Sequence, residues 1–295
     1  QIFQMTIKKI LVTGSKGFVG RHLSRHLKEV GFQVVTTSKY RKPIDVTNVN
    51  QLPTIENVDA IVHLAAKTSV SDSFREPHKT YFTNVMGTLN VLEFARIRNI
   101  KKFIYVSTYV YGEPQYLPID EKHVVNPHSP YNTSKLIAEK ICQNYSQHFN
   151  INIVTLRPFY VYGPDSRDRS LIPSIISQIK RDGKVRLSGK EIKRDFLFVT
   201  DFVDLIEKIL QDFPKGYNLY NVGYGRSYNL NQVADGLARL LGKKIRIQFP
   251  KSTIPDISDM RADITKVSKA FNWRPIIVIR IGLRLIVEDL SYCVL

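Results

Sequence analysis

Ile10-Leu11-Val12-Thr13-Gly14-Ser15-Lys16-Gly17-Phe18-Val19-Gly20 is the stretch whose reading decides the fold. Ile7 to Thr13 is an apolar run of strand character, and it leads straight into the three glycines. Beyond them Val19, Leu23, Leu27 and Val30 recur at helical spacing, and Gly31 is a stop signal. A strand, a glycine-rich turn and a helix open a dinucleotide-binding unit. Glycines permit the tight turn and let the backbone approach a pyrophosphate, and the helix N-terminus offers that anion free N–H groups. The spacing here is Gly-x-x-Gly-x-x-Gly rather than the more familiar Gly-x-Gly-x-x-Gly. Gly14, Lys16, Gly17, Phe18 and Val19 are the candidate cofactor contacts of the turn.

Working outward, Gln33 to Thr37 reads as a second strand. NAD-binding units usually place an acid at its end to hold the ribose 2′-hydroxyl. This chain has Ser38-Lys39-Tyr40-Arg41-Lys42 instead, and Ser38, Lys39 and Arg41 would suit a 2′-phosphate, so both NAD and NADP stay open. Asp45-Val46 follows. A third strand, Asp59 to His63, ends in Leu64, Ala65 and Ala66, small enough for a cofactor to come close. Tyr81 to Ala95 reads as one helix with Val85, Leu89, Leu92 and Ala95 on a face; Asn84 is a polar interruption. Lys102 to Val106 is a further strand, ending in Ser107 and Thr108. Hydroxyls at the carboxyl end of a central strand lie where open α/β sheets bind ligands.

The chemistry centres on Ser129-Pro130-Tyr131-Asn132-Thr133-Ser134-Lys135. Tyr131 and Lys135 are four apart on a helix from about Pro130 to His148, hence one turn apart on one face. A free phenol has a pKa of about 10, and a neighbouring ammonium lowers it toward the range of a general base. The strand Ile151 to Pro158 closes a strand–helix alternation that implies a parallel sheet with helices on both faces.

At 295 residues the chain has room for two units. The expected fold class is α/β, a Rossmann-type doubly wound parallel sheet over residues 1–163. A smaller C-terminal α/β substrate-binding lobe takes 164–295, with about 192–211 returning to the first domain. Apolar residues make up 43% of the chain, ample for a core, but no run is long enough to span a bilayer. No signal peptide is evident, and Cys142 and Cys293 form no metal or redox motif. Together these point to a cytoplasmic protein with no metal. The net charge of +17 calls for an anionic partner. Neither zinc spacing nor an RNA-binding aromatic motif accompanies it.

The ordered set of motifs resembles the extended short-chain dehydrogenase/reductase superfamily, in its nucleotide-sugar epimerase/dehydratase branch of UDP-glucose 4-epimerase-like proteins. It comprises Thr13-Gly14-x-x-Gly17-x-x-Gly20, Asp45-Val46, His63-Leu64-Ala65-Ala66, Asn84-x-x-Gly87-Thr88-x-Asn90, Ser107-Thr108, Tyr131-x-x-x-Lys135 and Arg157-Pro158. Val161-Tyr162-Gly163-Pro164, Arg194-Asp195-Phe196, Tyr220-Asn221-Val222-Gly223, Ala262-Asp263 and Asn272-Trp273-Arg274-Pro275 complete it. The resemblance implies that Gly14, Gly17 and Gly20 cradle the pyrophosphate of NAD or NADP and that Asp45 and Val46 meet the adenine. Asn84 and Pro158 join the cofactor site. Tyr131 is the acid/base, and Lys135 binds the nicotinamide ribose and lowers the tyrosine's pKa. Ser107 or Thr108 is the third catalytic hydroxyl. Arg194 matches a family position that binds the substrate's phosphates, Thr108 is a further substrate-side residue, and a homodimer is implied; Tyr160, the third substrate-side candidate, departs from the pattern, standing where many epimerases have Asn. The stretch Ser107 to Gly112 lacks the acidic pair that 4,6-dehydratases carry. The leading expectation is thus a nucleotide-sugar 4-epimerase working through a transient keto-sugar. An NADPH-dependent nucleotide-4-keto-sugar reductase is the alternative; a non-catalytic dinucleotide-sensing or RNA-binding protein is the rival of another class.

Overall fold

The computed structural model describes residues 7–37, 44–55, 57–166, 170–250 and 256–292. The chain runs β1 (Lys9–Thr13), α1 (Phe18–Glu29), β2 (Gln33–Thr36), β3 (Ala60–His63), α2 (Val70–Arg75), α3 (Pro77–Tyr81), a π-helical turn (Phe82–Met86), α4 (Gly87–Ile97), β4 (Lys102–Val106), α5 (Pro130–Phe149) and β5 (Asn152–Pro158). It continues with β6 (Tyr160–Tyr162), α6 (Leu171–Arg181), β7 (Lys184–Arg186), β8 (Lys193–Phe198), α7 (Val199–Gln211), β9 (Tyr217–Val222), β10 (Ser227–Asn229), α8 (Leu230–Leu240), β11 (Arg246–Gln248), β12 (Asp259–Met260), α9 (Thr265–Phe271) and α10 (Ile279–Tyr292).

The first unit holds the chain up to Gly112, then Val124–Pro158 and Val203–Tyr220. Its sheet has the order β2-β1-β3-β4-β5-β9. The pairs from β2 through β5 are parallel. Strand order reverses between β1 and β3, and the carboxyl ends at such a switch point form the ligand crevice of an open α/β sheet. Thr13 and His63, the last residues of those two strands, are register partners. The inner residues of the central strands β1, β3 and β4 are apolar and buried, as in a sheet covered on both faces. Leu11, Ile61, Phe103 and Ile153 join Val91, Leu92, Ala138 and the free Cys142 in one core cluster.

The helix expected from Tyr81 to Ala95 is broken into α3, the π turn and α4. The turn has a visible cause. Thr88 Oγ1 donates back to the Asn84 carbonyl at 2.6 Å, so a side chain enters the backbone ladder where the helix widens.

The second unit comprises Glu113–His123, Phe159–Phe202 and the chain from Asn221 onward. At its centre β8 pairs antiparallel with β10 and parallel with β6 and β12. A core of Ile172, Ile175, Phe196, Val233, Leu237 and Leu283 fills the space between the β8 layer and helices α6, α8 and α10. The expected boundaries move accordingly. The return to the first domain falls at Val203–Tyr220, not 192–211, because Lys193–Phe198 is the central strand of the second unit's own sheet. Asp195 holds that unit together: its buried carboxylate accepts from the backbone N–H groups of Tyr224, Gly225 and Ala262. No helix among the described residues is long and apolar enough to cross a membrane.

Candidate active site

The glycine turn after β1 is dictated by close approach, severe at Gly14 and Gly20 and milder at Gly17. Gly14 has φ +67°, and a Cβ there would lie 2.7 Å from Ala65 N. A Cβ on Gly20 would collide with the Gly14 carbonyl oxygen. Gly17 has an ordinary φ of −72°, and its nearest neighbour to a Cβ, at 3.1 Å, is again the Gly14 carbonyl. It caps α1 with no side-chain hydrogen bond, and the first turn of that helix carries no acid. A bare positive helix end beside a missing side chain suits a pyrophosphate, so these residues fit a dinucleotide. The three glycines therefore have separable roles. Gly20→Ala is expected to lower the urea midpoint sharply. Gly17→Ala, whose Cβ meets the same carbonyl less closely, should lower the midpoint far less while weakening dinucleotide binding ~10-fold or more by blocking backbone approach. Equal loss of stability in both variants would refute this division.

The next turn is held from α4. Asn90 Nδ2 donates to the carbonyls of Val46 and Thr47 at 3.0 and 3.1 Å. A Cβ on Gly87 would come within 2.9 Å of Val46 Cγ2. Asp45 accepts from Thr47 N at 2.9 Å and fixes the loop that presents Val46. Ser38, Lys39 and Arg41 lie outside the described residues.

Ser129 caps α5, accepting from Asn132 N at 3.2 Å, and Pro130 occupies the first turn, where its missing N–H costs nothing. Asn132 Nδ2 donates to the Tyr109 carbonyl at 2.7 Å and ties the loop after β4 to the start of the helix. Tyr131 and Lys135 follow one turn apart, and both are buried. The Lys135 ammonium lies 4.2 Å from the centroid of the Tyr105 ring. Burial brings its pKa down to about 7, with the nearby Cys142 and Glu139 pulling the other way.

Asn84 is fully buried and its amide is fully engaged. Its Oδ1 accepts from Lys67 N at 2.8 Å, and its Nδ2 donates to the Lys67 carbonyl at 3.0 Å and to Ser134 Oγ at 2.9 Å. Ser134 in turn donates to the Tyr131 carbonyl at 2.7 Å. Asn84 is therefore an anchor between the π turn and α5. Ser107 is likewise taken: its hydroxyl donates to Glu139 at 2.5 Å. Glu139 holds Arg157 through both carboxylate oxygens, at 2.6 to 3.2 Å, and Arg157 Nη1 donates to the Tyr111 hydroxyl at 2.8 Å. Thr108, half-buried, is the hydroxyl of the pair that this network leaves. Leu64, Ala65 and Ala66 follow β3 at the switch point and are half-buried; Pro158 ends β5 and is buried.

With this geometry in place, the comparison with known proteins is direct. Residues 10–223 match the model of the NAD dependent epimerase/dehydratase family. The chain belongs to that family. It is 31% identical to UDP-glucuronate 4-epimerase of Thermodesulfobacterium geofontis, across 93% of each chain. It is 30% identical to GDP-6-deoxy-D-mannose reductase of Pseudomonas aeruginosa, across 96% of this chain and 97% of the other. The UDP-glucose 4-epimerase of Thermotoga maritima, solved with UDP-glucose, superposes with a TM-score of 0.89 at 26% identity, covering 97% of this chain and all of that one. The protein is thus an NAD(P)-dependent enzyme of a family of nucleotide-sugar epimerases, dehydratases and reductases.

In this epimerase/dehydratase-family chain two expected substrate-side residues are already engaged within the second unit. Arg194 donates to Asp256 at 2.5 Å and to the Ile257 and Lys193 carbonyls at 2.8 and 2.7 Å. Its role as a phosphate ligand meets a guanidinium that already ties β8 to residues 256 and 257. The Tyr160 hydroxyl accepts from Leu171 N at 2.8 Å, its ring packs edge-on against Phe196, and burial pushes its pKa to about 12. Both positions hold elements of the second unit together. Glu139 was not among the candidates in the sequence, although it sits one turn beyond Lys135 on the same buried face.

A dinucleotide bound beside Lys135 would give that lysine a measurable signature. Its pKa is about 7 in the free protein, so at pH 8 the side chain is largely neutral. A bound anionic dinucleotide favours the ammonium and raises that value. Binding at pH 8 should take up close to one proton, and binding at pH 6, where Lys135 is already charged, close to none. Calorimetry in buffers of different ionisation enthalpy reads this directly, and Lys135→Met should abolish it. A buffer-independent enthalpy at pH 8 would contradict the assignment.

Proposed function

We propose that the protein is a nucleotide-sugar 4-epimerase whose chemistry is carried by Tyr131, Lys135 and Thr108. The observation that carries the reading is the buried Tyr131–Lys135 pair at the start of α5, near a strand end whose residues Ser107 to Gly112 include no carboxylate. Elimination of water needs an added acid and base, and these positions supply neither. Hydride transfer coupled to one proton needs only the tyrosine. When bound, NAD supplies reversible hydride acceptance at C4 of the sugar. Tyr131, as phenolate, takes the C4 hydroxyl proton as the C–H bond is broken, giving the keto-sugar. The same phenol returns the proton once hydride has been delivered to the opposite face, so no net oxidation results. Lys135 favours the phenolate through its charge and binds the nicotinamide ribose, and the Thr108 hydroxyl steadies the reacting oxygen.

A nucleotide-4-keto-sugar reductase is the second reading, favoured by the likeness to GDP-6-deoxy-D-mannose reductase and by the cationic run at Lys39, Arg41 and Lys42. There Tyr131 would donate its proton once, in one direction, with NADPH as cosubstrate. Unfolding the purified protein and identifying any dinucleotide released separates the two. Near-stoichiometric NAD, with interconversion of UDP-glucose and UDP-galactose or of the corresponding glucuronates, supports the epimerase. An empty protein that consumes NADPH with 4-keto-sugar nucleotides supports the reductase.

We further propose a homodimer, since α2, the π turn and α5 expose Val70, Phe74, Phe82, Met86 and Ile137 on elements that pack beside one another. Phe82→Glu with Ile137→Glu should then give a monomer in sedimentation.

A further inference from the structure

Thr13 and His63 end the two strands at the switch point, and their side chains meet there: Thr13 Oγ1 lies 2.8 Å from His63 Nδ1. Thr13 Oγ1 also accepts from the backbone N–H groups of Leu64 and Ala65, at 3.1 and 3.2 Å. A hydroxyl has two lone pairs and one proton. Both lone pairs are taken, so the proton is directed at His63 Nδ1, which must accept. The neutral ring then carries its hydrogen on Nε2. That nitrogen lies 3.1 Å from Thr88 Oγ1, whose own proton goes to the Asn84 carbonyl at 2.6 Å. The Thr88 hydroxyl also bonds that of Tyr105, whose ring stacks on the imidazole. His63 has no exposed surface, and burial together with the charge of Lys135 keeps its pKa down at about 3, so the ring stays neutral over the working range.

We propose that His63 is a positioning residue of the active site: its Nε2–H, oriented by Thr13, holds Thr88 and so fixes the π turn whose Asn84 anchors Ser134 and the Tyr131 turn of α5. The imidazole touches no reacting atom. It links the end of β1, where the dinucleotide turn begins, to the helix bearing the acid/base. No other neutral side chain offers an acceptor and a donor on opposite sides of one rigid ring. Its effect on turnover rests on the family reading of Tyr131 and Lys135, whereas its tautomer does not.

Long-range ¹H–¹⁵N correlation spectra of the ¹⁵N-labelled full chain test the hydrogen assignment without any activity. The expected pattern is one neutral histidine with its hydrogen on Nε2, unchanged from pH 5.5 to 8.5 and absent from His63→Gln. A hydrogen on Nδ1, or titration of this ring near 6.5, overturns the proposal. Kinetics test the positioning. His63→Phe should lower kcat ~10²-fold with KM little changed, the size expected when a catalytic group loses its alignment. Thr88→Val should act alike, and the double variant should be no worse than either single one. His63→Gln, which restores a donor toward Thr88, should recover part of the loss. Wild-type kcat in a folded His63→Phe protein would reduce the residue to core packing and refute the proposal. Loss of every sugar-nucleotide activity in the wild type itself would count against the epimerase reading and leave the tautomer result standing.

Discussion

Tyr131→Phe should lower turnover ~10²–10⁴-fold, the range over which a positioned general acid–base acts, while dinucleotide and sugar-nucleotide affinities stay within a few-fold of wild type. The ring is buried at the start of α5, and removing one oxygen leaves its packing in place. The loss should therefore appear in kcat, with an unchanged urea midpoint. Lys135→Met should be comparably slow for a different reason: the phenol remains, but the ammonium that favoured its ionised form is gone. Raising the pH should restore part of the Lys135→Met rate, because hydroxide can then ionise the phenol, and should restore none of the Tyr131→Phe rate. Wild-type turnover in Tyr131→Phe would remove the proposed chemistry altogether, for epimerase and reductase alike.

These predictions rest on parts of the molecule that were legible in the sequence, and the reason is locality. A glycine turn between strand and helix, or a tyrosine and lysine four apart, is fixed by neighbours along the chain. The parallel sheet, α1 and α5 follow from periodicity in the same way. Three features did not. The π turn at Phe82–Met86 shifts the helical face by a single residue, which leaves the apolar spacing of Val85, Leu89 and Leu92 intact. Its cause, the Thr88 hydroxyl bonded to Asn84 and His63, draws on another strand. The unit boundary depends on what β8 pairs with, and its partners β6, β10 and β12 are scattered along the chain. That the Ser107 hydroxyl is engaged depends on Glu139, thirty-two residues away from it. A signal for Glu139 did exist. It stands one turn after Lys135 on a buried helix face, and a buried carboxylate requires a partner. Arg157, on the following strand, is the cation that meets it.

That ion pair carries the second large effect. Glu139 and Arg157 are almost completely buried, 3% and 6% exposed at their side chains. Burial pulls the guanidinium toward neutrality, but its bonds to Glu139 outweigh this and hold it charged. Glu139→Ala leaves that charge without a partner and strips the acceptor from Ser107, a loss of about 3–5 kcal/mol for breaking one half of a buried pair. Equilibrium urea unfolding followed by fluorescence should show it, and Arg157→Met should be similarly destabilised. Replacing both residues by methionine should recover most of the loss, because an apolar pair of like volume avoids burying either charge. A cost below about 1 kcal/mol for Glu139→Ala would mean that the pair behaves as an exposed one. Glu139→Gln isolates the electrostatic part. The amide keeps an acceptor for Ser107 and Arg157 but loses the charge that raises the Lys135 pKa. That pKa then falls further below about 7, a smaller fraction of Lys135 is charged at pH 7, and proton uptake on dinucleotide binding grows at that pH. The carboxylate that holds Arg157 thereby also helps to keep Lys135 charged against the burial that lowers its pKa.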